Sequence, residues 1–438
     1  MKTLTLITLA ALVAICNLQA SAQGKRWLSY EPAIVELEGR LVIQHEWGPP
    51  NFGEEPLTDR KEKVPVMVLA KAINVRGTPG DTLNATSVEG TRRVQLVFPY
   101  TPIPYKQLIG QKIVVKGNLF HRHTGHHYTP VLIWVRTLSP ASTAVAQNNC
   151  LQIAREVSPD MSAETQRDFQ SKLDEARALV EKDPRNVEHV IWLGRRTAYL
   201  GRYKDAIKIY TDGISQFPSD ARLYRHRGHR FITLRCFDAA IADFETAARL
   251  TRGQPDEVEP DGLPNARNVP TSTLQSNIWY HLGLAHYLKG DFARALTAYR
   301  EAEKVSTNPD MLVATTHWHY MTLRRLGREK EAAVALAKIK DDLDVIENGD
   351  YYKLLKTYKG QLKAEKVLEE LGATSDSLSN ASVGYGLGNW FLYNGQRAQA
   401  EKIFRQVTAG NQWASFGFIA AEAELKNKRP IEKTVGRF

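Results

Sequence analysis

A fixed offset of 34 residues constrains this chain more than any other feature. Gly194 and Gly228, Tyr203 and Phe237, Ala206 and Ala240, Tyr210 and Phe244, and Gly213 and Ala247 each lie 34 positions apart, as do Pro184 and Pro218. One pattern of small residues, alanines and aromatics is therefore written twice in register. Within each copy the apolar positions follow helical spacing. A pair of short helices cannot bury its apolar stripe alone, so copies stack and share a core.

The period, with a small residue where two helices cross and an aromatic four residues after an alanine, resembles the tetratricopeptide repeat. A third copy follows with Trp279, Leu282-Gly283, Gly290, Phe292, Ala295, Tyr299 and Ala302. Gly283 trails Gly228 by 55 positions, 21 more than the period, so 253–273, rich in Pro, Gly, Asp and Asn, reads as an insertion. A looser fourth hairpin keeps Gly327, Ala332 and Leu336 but carries Tyr320 at the crossing. Tyr351 to Leu371 is helical without register, Leu387-Gly388, Phe391, Gly395, Ala400 and Phe404 restore the pattern, and Trp413 to Leu425 reads as a terminal helix over the open end of the stack. Ala163 to Lys182 reads as an amphipathic helix with Phe169, Leu173, Ala176, Leu179 and Val180 on one side.

The resemblance implies an all-α solenoid whose first helices line a concave groove, and a function in binding. With Val187, Ala221 and Ser276 as repeat starts, it places on that face Glu188, Ile191, Arg195, Ala198 and Tyr199; then Arg222, Arg225, His229, Ile232 and Thr233; then Asn277, Tyr280, Leu284, Tyr287 and Leu288. The candidate groove residues are thus Arg195, Tyr199, Arg222, Arg225, His229, Tyr280 and Tyr287. Arginine pairs bidentately with carboxylates, and tyrosine offers apolar area with a polar tip. The implied partner is a protein or an extended acidic peptide. Ile191 and Arg195 depart from the Lys and Asn of the family's carboxylate clamp, so that activity is not implied.

Residues 30–138 read as β-structure, with strands at 34–43, 64–75, 93–98, 112–120 and 128–135. Gly39 stands where the first strand can bend, and a short element at 105–110 precedes the fourth. This pattern predicts an all-β, OB-like small barrel. The run Lys116 to Pro130 contains His121, His123, His126 and His127. His121 and His123 alternate onto one strand face, and Thr124-Gly125 turns the chain back. The run reads as a polar hairpin and no cofactor is expected; the alternative is a zinc or copper site, which imidazoles in that arrangement suit. The segment resembles an uncharacterised family of exported bacterial domains carrying this HxHTGHH run, which implies a fold and an exported setting but no activity.

Met1 to Ala22 reads as a secretory leader ending in Ala20-Ser21-Ala22, too short in its apolar part to span a bilayer. The expected chain is exported, periplasmic or extracellular, and without a membrane span. A formal charge of +10 favours anionic partners, and an exported setting argues against nucleic acid. Cys150 and Cys236 fall in different segments and are expected as two free thiols, a single bridge being the other reading. No nucleophile elbow, phosphate loop or zinc-protease motif is present, and no catalytic residue is nominated. The division is leader 1–22, β-domain 24–138, linker 139–162, array 163–426 with its insertion, and basic tail 427–438. The reading is a non-enzymatic adaptor that binds a protein or peptide. Its alternatives are metal handling by His121–His127 and an enzyme with an unrecognised site.

Overall fold

The computed structural model describes residues 27–98, 105–141, 150–372 and 378–427. The expected leader, the 99–104 stretch, part of the linker and the tail lie outside the described residues.

The N-terminal strands are β1 (Trp27–Ser29), β2 (Ile34–Trp47), β3 (Lys61–Arg76), β4 (Val88–Val97), β5 (Lys112–His121) and β6 (Val131–Pro140). β2 pairs antiparallel with β3 and with β5, and β5 pairs antiparallel with β6. β6 runs parallel to β4, and β4 pairs with β3, so the pairing returns to its start. This ring supports the OB-like expectation. β1, which was not expected, adds a parallel strand against the end of β3. At Gly39 the strand β2 passes from β5 to β3. A Cβ there would sit 2.6 Å from both Met67 Cγ and the Val68 carbonyl oxygen, so only glycine fits the bend. A 3-10 helix, Lys106–Leu108, precedes β5, and buried Leu108 packs on the same core as Leu41, Met67 and Ile113.

The array begins with α1 (Ala163–Lys182) and continues with α2 (Val187–Tyr199), α3 (Tyr203–Gln216), α4 (Ala221–Thr233), α5 (Phe237–Leu250), α6 (Leu274–Lys289), α7 (Phe292–Lys304), α8 (Pro309–Arg325) and α9 (Glu329–Ala337). There follow α10 (Gly349–Tyr358), α11 (Ala364–Glu370), α12 (Ala381–Tyr393), α13 (Arg397–Thr408) and α14 (Phe416–Asn427). Asn186, Asp220, Thr273 and Asn308 cap α2, α4, α6 and α8 by accepting from backbone amides. On α1, Leu173 and Ala176 are buried as the apolar stripe requires, but Leu179 is exposed. No described helix is long and apolar enough to cross a membrane.

The repeated residues make one repeated contact. A Cβ on Gly194 would lie 2.3 Å from Tyr210 Cε1, one on Gly228 2.9 Å from Phe244 Cζ, and one on Gly283 2.7 Å from Tyr299 Cε1. The aromatic four residues after each alanine therefore lies flat against the glycine of its partner helix. Ala206, Ala240 and Ala295 are fully buried in the shared core. Replacing Ala240 with leucine overpacks this crossing and is expected to cost about 1–3 kcal/mol. A variant whose urea midpoint matches the parent's would show that the register is wrong.

The hairpin turns take a left-handed residue at Gly201, Gly290, Gly327 and Gly395, but at Arg235 in the second hairpin, where φ is 63°. Its side chain has a specific task. Arg235 Nε donates to Glu422 Oε2 (2.8 Å), Nη2 donates to the Trp413 carbonyl (3.0 Å), and the guanidinium lies 3.9 Å from the Trp413 ring centre. An unfavourable backbone conformation thus carries the arginine that holds α14.

Cys150 and Cys236 form a disulfide, which corrects the expectation of two free thiols. The stretch after Cys150 runs back along the first two hairpins. Glu156 accepts from the Lys204 amide (2.8 Å), and Pro159 lies against Gly201. That path brings Cys150 to the turn between α4 and α5, a closeness no spacing in the sequence reveals. The β-domain joins the array through Arg136, which donates to Asn118 Oδ1 (2.7 Å) and to the Ser215 carbonyl of α3 (2.8 Å).

Candidate partner-binding surface

The first helices α2, α4 and α6 place their arginines and histidines on one wall, as the repeat pattern implies. That wall is covered by two segments of the same chain. The insertion crosses α6, α4 and α2 in turn, and α14 with its preceding turn covers the aromatic part.

Glu259 is the centre of the first contact. Its carboxylate is nearly buried and sits 2.9 Å from Arg225 Nε and 3.5 Å from His226 Nε2, while Asn277 Nδ2 donates to it at 3.0 Å. Arg225 Nη1 donates to His226 Nδ1 (3.1 Å), which leaves the His226 proton on Nε2, facing the carboxylate. Burial, then the charge of Arg225, holds the His226 imidazole well below its usual range, so it stays neutral. Further along, Arg195 Nη1 donates to the Pro260 carbonyl (2.8 Å) and Arg196 Nη1 to the Gly262 carbonyl (3.0 Å). Both guanidiniums also lie over the Trp192 ring. Gly262 is pressed against Tyr199: a Cβ there would fall 1.5 Å from the Tyr199 hydroxyl and 2.7 Å from Arg195 Nη2.

Arg222 is committed locally, donating to both carboxylate oxygens of Asp220 and to Glu188 Oε2 (2.8 Å). His229 lies between His281 and Phe416, with ring centres at 4.7 and 5.4 Å. Tyr280 also meets Phe416. Tyr287 is buried, its hydroxyl accepting from Tyr385 (2.8 Å) and Asn389 (2.9 Å). Glu424 on α14 pairs with the buried Arg325. The terminal helix was expected over the open end of the stack. It reaches α6 as well as α12 and α13, so it also fills the inner face.

The wall therefore brings together Arg195, Tyr199, Arg222 and Arg225 around the insertion, and sets His229, Tyr280 and Tyr287 apart beneath the C-terminal helices. Arg225 does not await an external anion, because Glu259 supplies one. Arg196, Trp192, Glu259 and Gly262 were not anticipated. The signal was available: acids Asp256, Glu257, Glu259 and Asp261 stand in an insertion beside arginine-rich helices.

The histidine run ends β5 and turns back as expected, with the His127 amide donating to the Thr124 carbonyl (3.1 Å). Its rings are engaged within the chain. His123 Nδ1 meets the His121 carbonyl, and His127 Nδ1 accepts from the His123 amide (3.1 Å). His126 Nδ1 lies 3.0 Å from Glu62, whose other oxygen accepts from Tyr128 (2.8 Å). Burial pushes the Glu62 carboxyl up, but the bonds from His126 and Tyr128 outweigh it and leave it below its usual range. Among the described residues no group of three or more His, Cys, Asp or Glu is placed to hold a metal ion.

Comparison with known families agrees with this architecture. Residues 276–308 match the family described as Tetratricopeptide repeat, and residues 93–139 match a Domain of unknown function, DUF4431. The first match covers the hairpin of α6 and α7 within a region of stacked helical hairpins, and the second runs from β4 to β6 of the β-domain. No curated protein matches the chain. Among solved structures, a MamA protein is 18% identical with a TM-score of 0.31, covering 45% of this chain and 89% of its own. YrrB, described as a TPR protein with an unusual peptide-binding site, is 16% identical with a TM-score of 0.30, covering 57% and 97%. A thermophilic TPR protein from Thermus thermophilus is 15% identical with a TM-score of 0.29, covering 45% and 89%.

Proposed function

We propose that this chain is an exported adaptor whose repeat array binds an acidic stretch of a protein or peptide on the inner wall of α2 and α4. The observation that carries this reading is what the wall already holds. A carboxylate is seated between Arg225, His226 and Asn277, and two backbone carbonyls beyond it are taken by Arg195 and Arg196. Arg225 meets the carboxylate as an ion pair, and the Asn277 bond to that carboxylate is of the kind that contributes about 1.5–3 kcal/mol when shielded from water. Any peptide offers the carbonyls; only an acidic one offers the carboxylate. The role is binding rather than catalysis. The Cys150–Cys236 bond supports the exported setting, because disulfides persist in oxidising compartments.

The test exposes the immobilised full chain to envelope extract and maps the captured partner by crosslinking and mass spectrometry. Crosslinks are expected within 187–233, with capture falling as salt rises, since part of the attraction is long-range. Crosslinks confined to the β-domain would contradict the reading.

A further inference from the structure

We infer that the 253–273 insertion is a built-in competitor for the inner wall, and that an external partner binds by supplying a carboxylate three residues before a glycine, as Glu259 precedes Gly262. This rests on the proposed peptide-binding role and names the partner's chemistry.

Three independent features carry it. The charge is complementary: the insertion has four acids and one arginine, Arg267, and its acids lie in the half that crosses Arg195, Arg196, Arg222 and Arg225. The contacts are those of a ligand. One nearly buried carboxylate is recognised, and the rest of the hold on α2 is through backbone carbonyls, which any sequence can imitate. The fit is close: a Cβ on Gly262 would displace the Tyr199 hydroxyl and Arg195 Nη2, so a glycine three residues after the acid lets the backbone reach the wall with both side chains in place.

The segment's own structure also suits release. Between Gly253 and Thr273 it forms no helix or strand, only a bridge between Val258 and Thr273. Its second half is moored elsewhere, by Arg267 to Asp344 and by Asn265 and Thr271 to Glu347. Residues 259–262 can therefore leave the wall while the insertion keeps its anchor. Val258 and Leu263, which flank the contact, are exposed and contribute little to holding it down. Asp261 adds a local bias. Burial, then the neighbouring acids Glu347 and Glu259, pushes its carboxyl up, and one of its oxygens is buried without a hydrogen bond.

The experiment uses the full chain with 254–270 replaced by a short Gly-Ser linker, and a fluorescent peptide of 254–264 as probe. Anisotropy is expected to show saturable binding to the shortened protein and at least tenfold weaker binding to the parent. A peptide carrying Glu259→Gln, or Gly262→Val, should bind the shortened protein at least tenfold more weakly. Arg225→Ala in the shortened protein should do the same, and it leaves no buried acid behind, because Glu259 has gone. As a second arm, Gly262→Val in the full-length chain should expel 259–262 and speed cleavage after Glu257 by a glutamate-specific protease tenfold or more. Equal binding to parent and shortened protein overturns the inference. So does an unchanged cleavage rate in the Gly262→Val chain. If the peptide fails while an envelope partner still crosslinks within 187–233, the competitor is wrong and the binding role stands. If the peptide binds while partners crosslink only to the β-domain, the reverse holds.

Discussion

Acidification from pH 7.5 to pH 4.5 is expected to remove about 5 kcal/mol of stability through two buried histidines. Burial holds the His281 imidazole down to about 3, with the charge of Arg225 adding to it, and burial alone holds His317 down to about 3. Burial shifts His226 and His229 in the same direction. The unfolded chain takes up protons near 6.5. Below that pH the unfolded state binds protons that the folded state refuses, so stability falls as pH falls toward the folded values. At about 1.4 kcal/mol per pH unit once well below 6.5, His281 and His317 together lose about 5 kcal/mol by pH 4.5. That is a large part of the stability of a domain, about 5–15 kcal/mol. Urea melts at the two pH values check this, and equal midpoints would contradict it. His317→Phe keeps the stacking on Tyr351 and Tyr358 and should remove about half of that loss.

Asp243→Ala is expected to cost about 3–5 kcal/mol. Arg227 Nε and Nη2 donate to the two oxygens of Asp243 at 2.8 and 2.7 Å, and Nη1 donates to Thr211 at 3.0 Å. The cluster ties α3, α4 and α5 together in the core, with Asp243 almost wholly buried. Removing the carboxylate leaves a buried guanidinium without its counter-charge, which is the expensive way to break such a pair. Replacing both partners with apolar residues of similar volume, Arg227→Met with Asp243→Leu, should cost much less. A single Asp243→Ala variant that melts within about 1 kcal/mol of the parent would show that the pair is solvated.

The repeat core was legible because its signal is local and periodic. Gly228 and Phe244 meet within one hairpin, and the same spacing recurs in the next. The β-domain was legible through alternation and through Gly39, though β1 was too short to register. What stayed hidden depends on contacts between distant segments. Nothing near Cys236 points to Cys150, and the acids of the insertion do not tell which arginine each one meets, until the path of the intervening chain is known. Arg235 was visible as the residue standing where other turns have glycine, but its purpose depends on Glu422, 187 residues away. Tyr280, Tyr287 and His229 occupy inner-face positions, yet the C-terminal helices return over that face and bury Tyr287.

The central claim is that the inner wall of α2 and α4 is a chain-binding surface that the insertion occupies until a partner displaces it. Amide hydrogen exchange on the full-length chain, with and without the partner recovered from envelope extract, tests it most directly. Alone, the Glu259 amide, which donates to the Ser272 carbonyl (3.0 Å), should be protected. At saturating partner it should exchange at least tenfold faster, while α2 and α4 stay protected. Unchanged exchange at Glu259 at saturation would place the partner elsewhere and contradict the account.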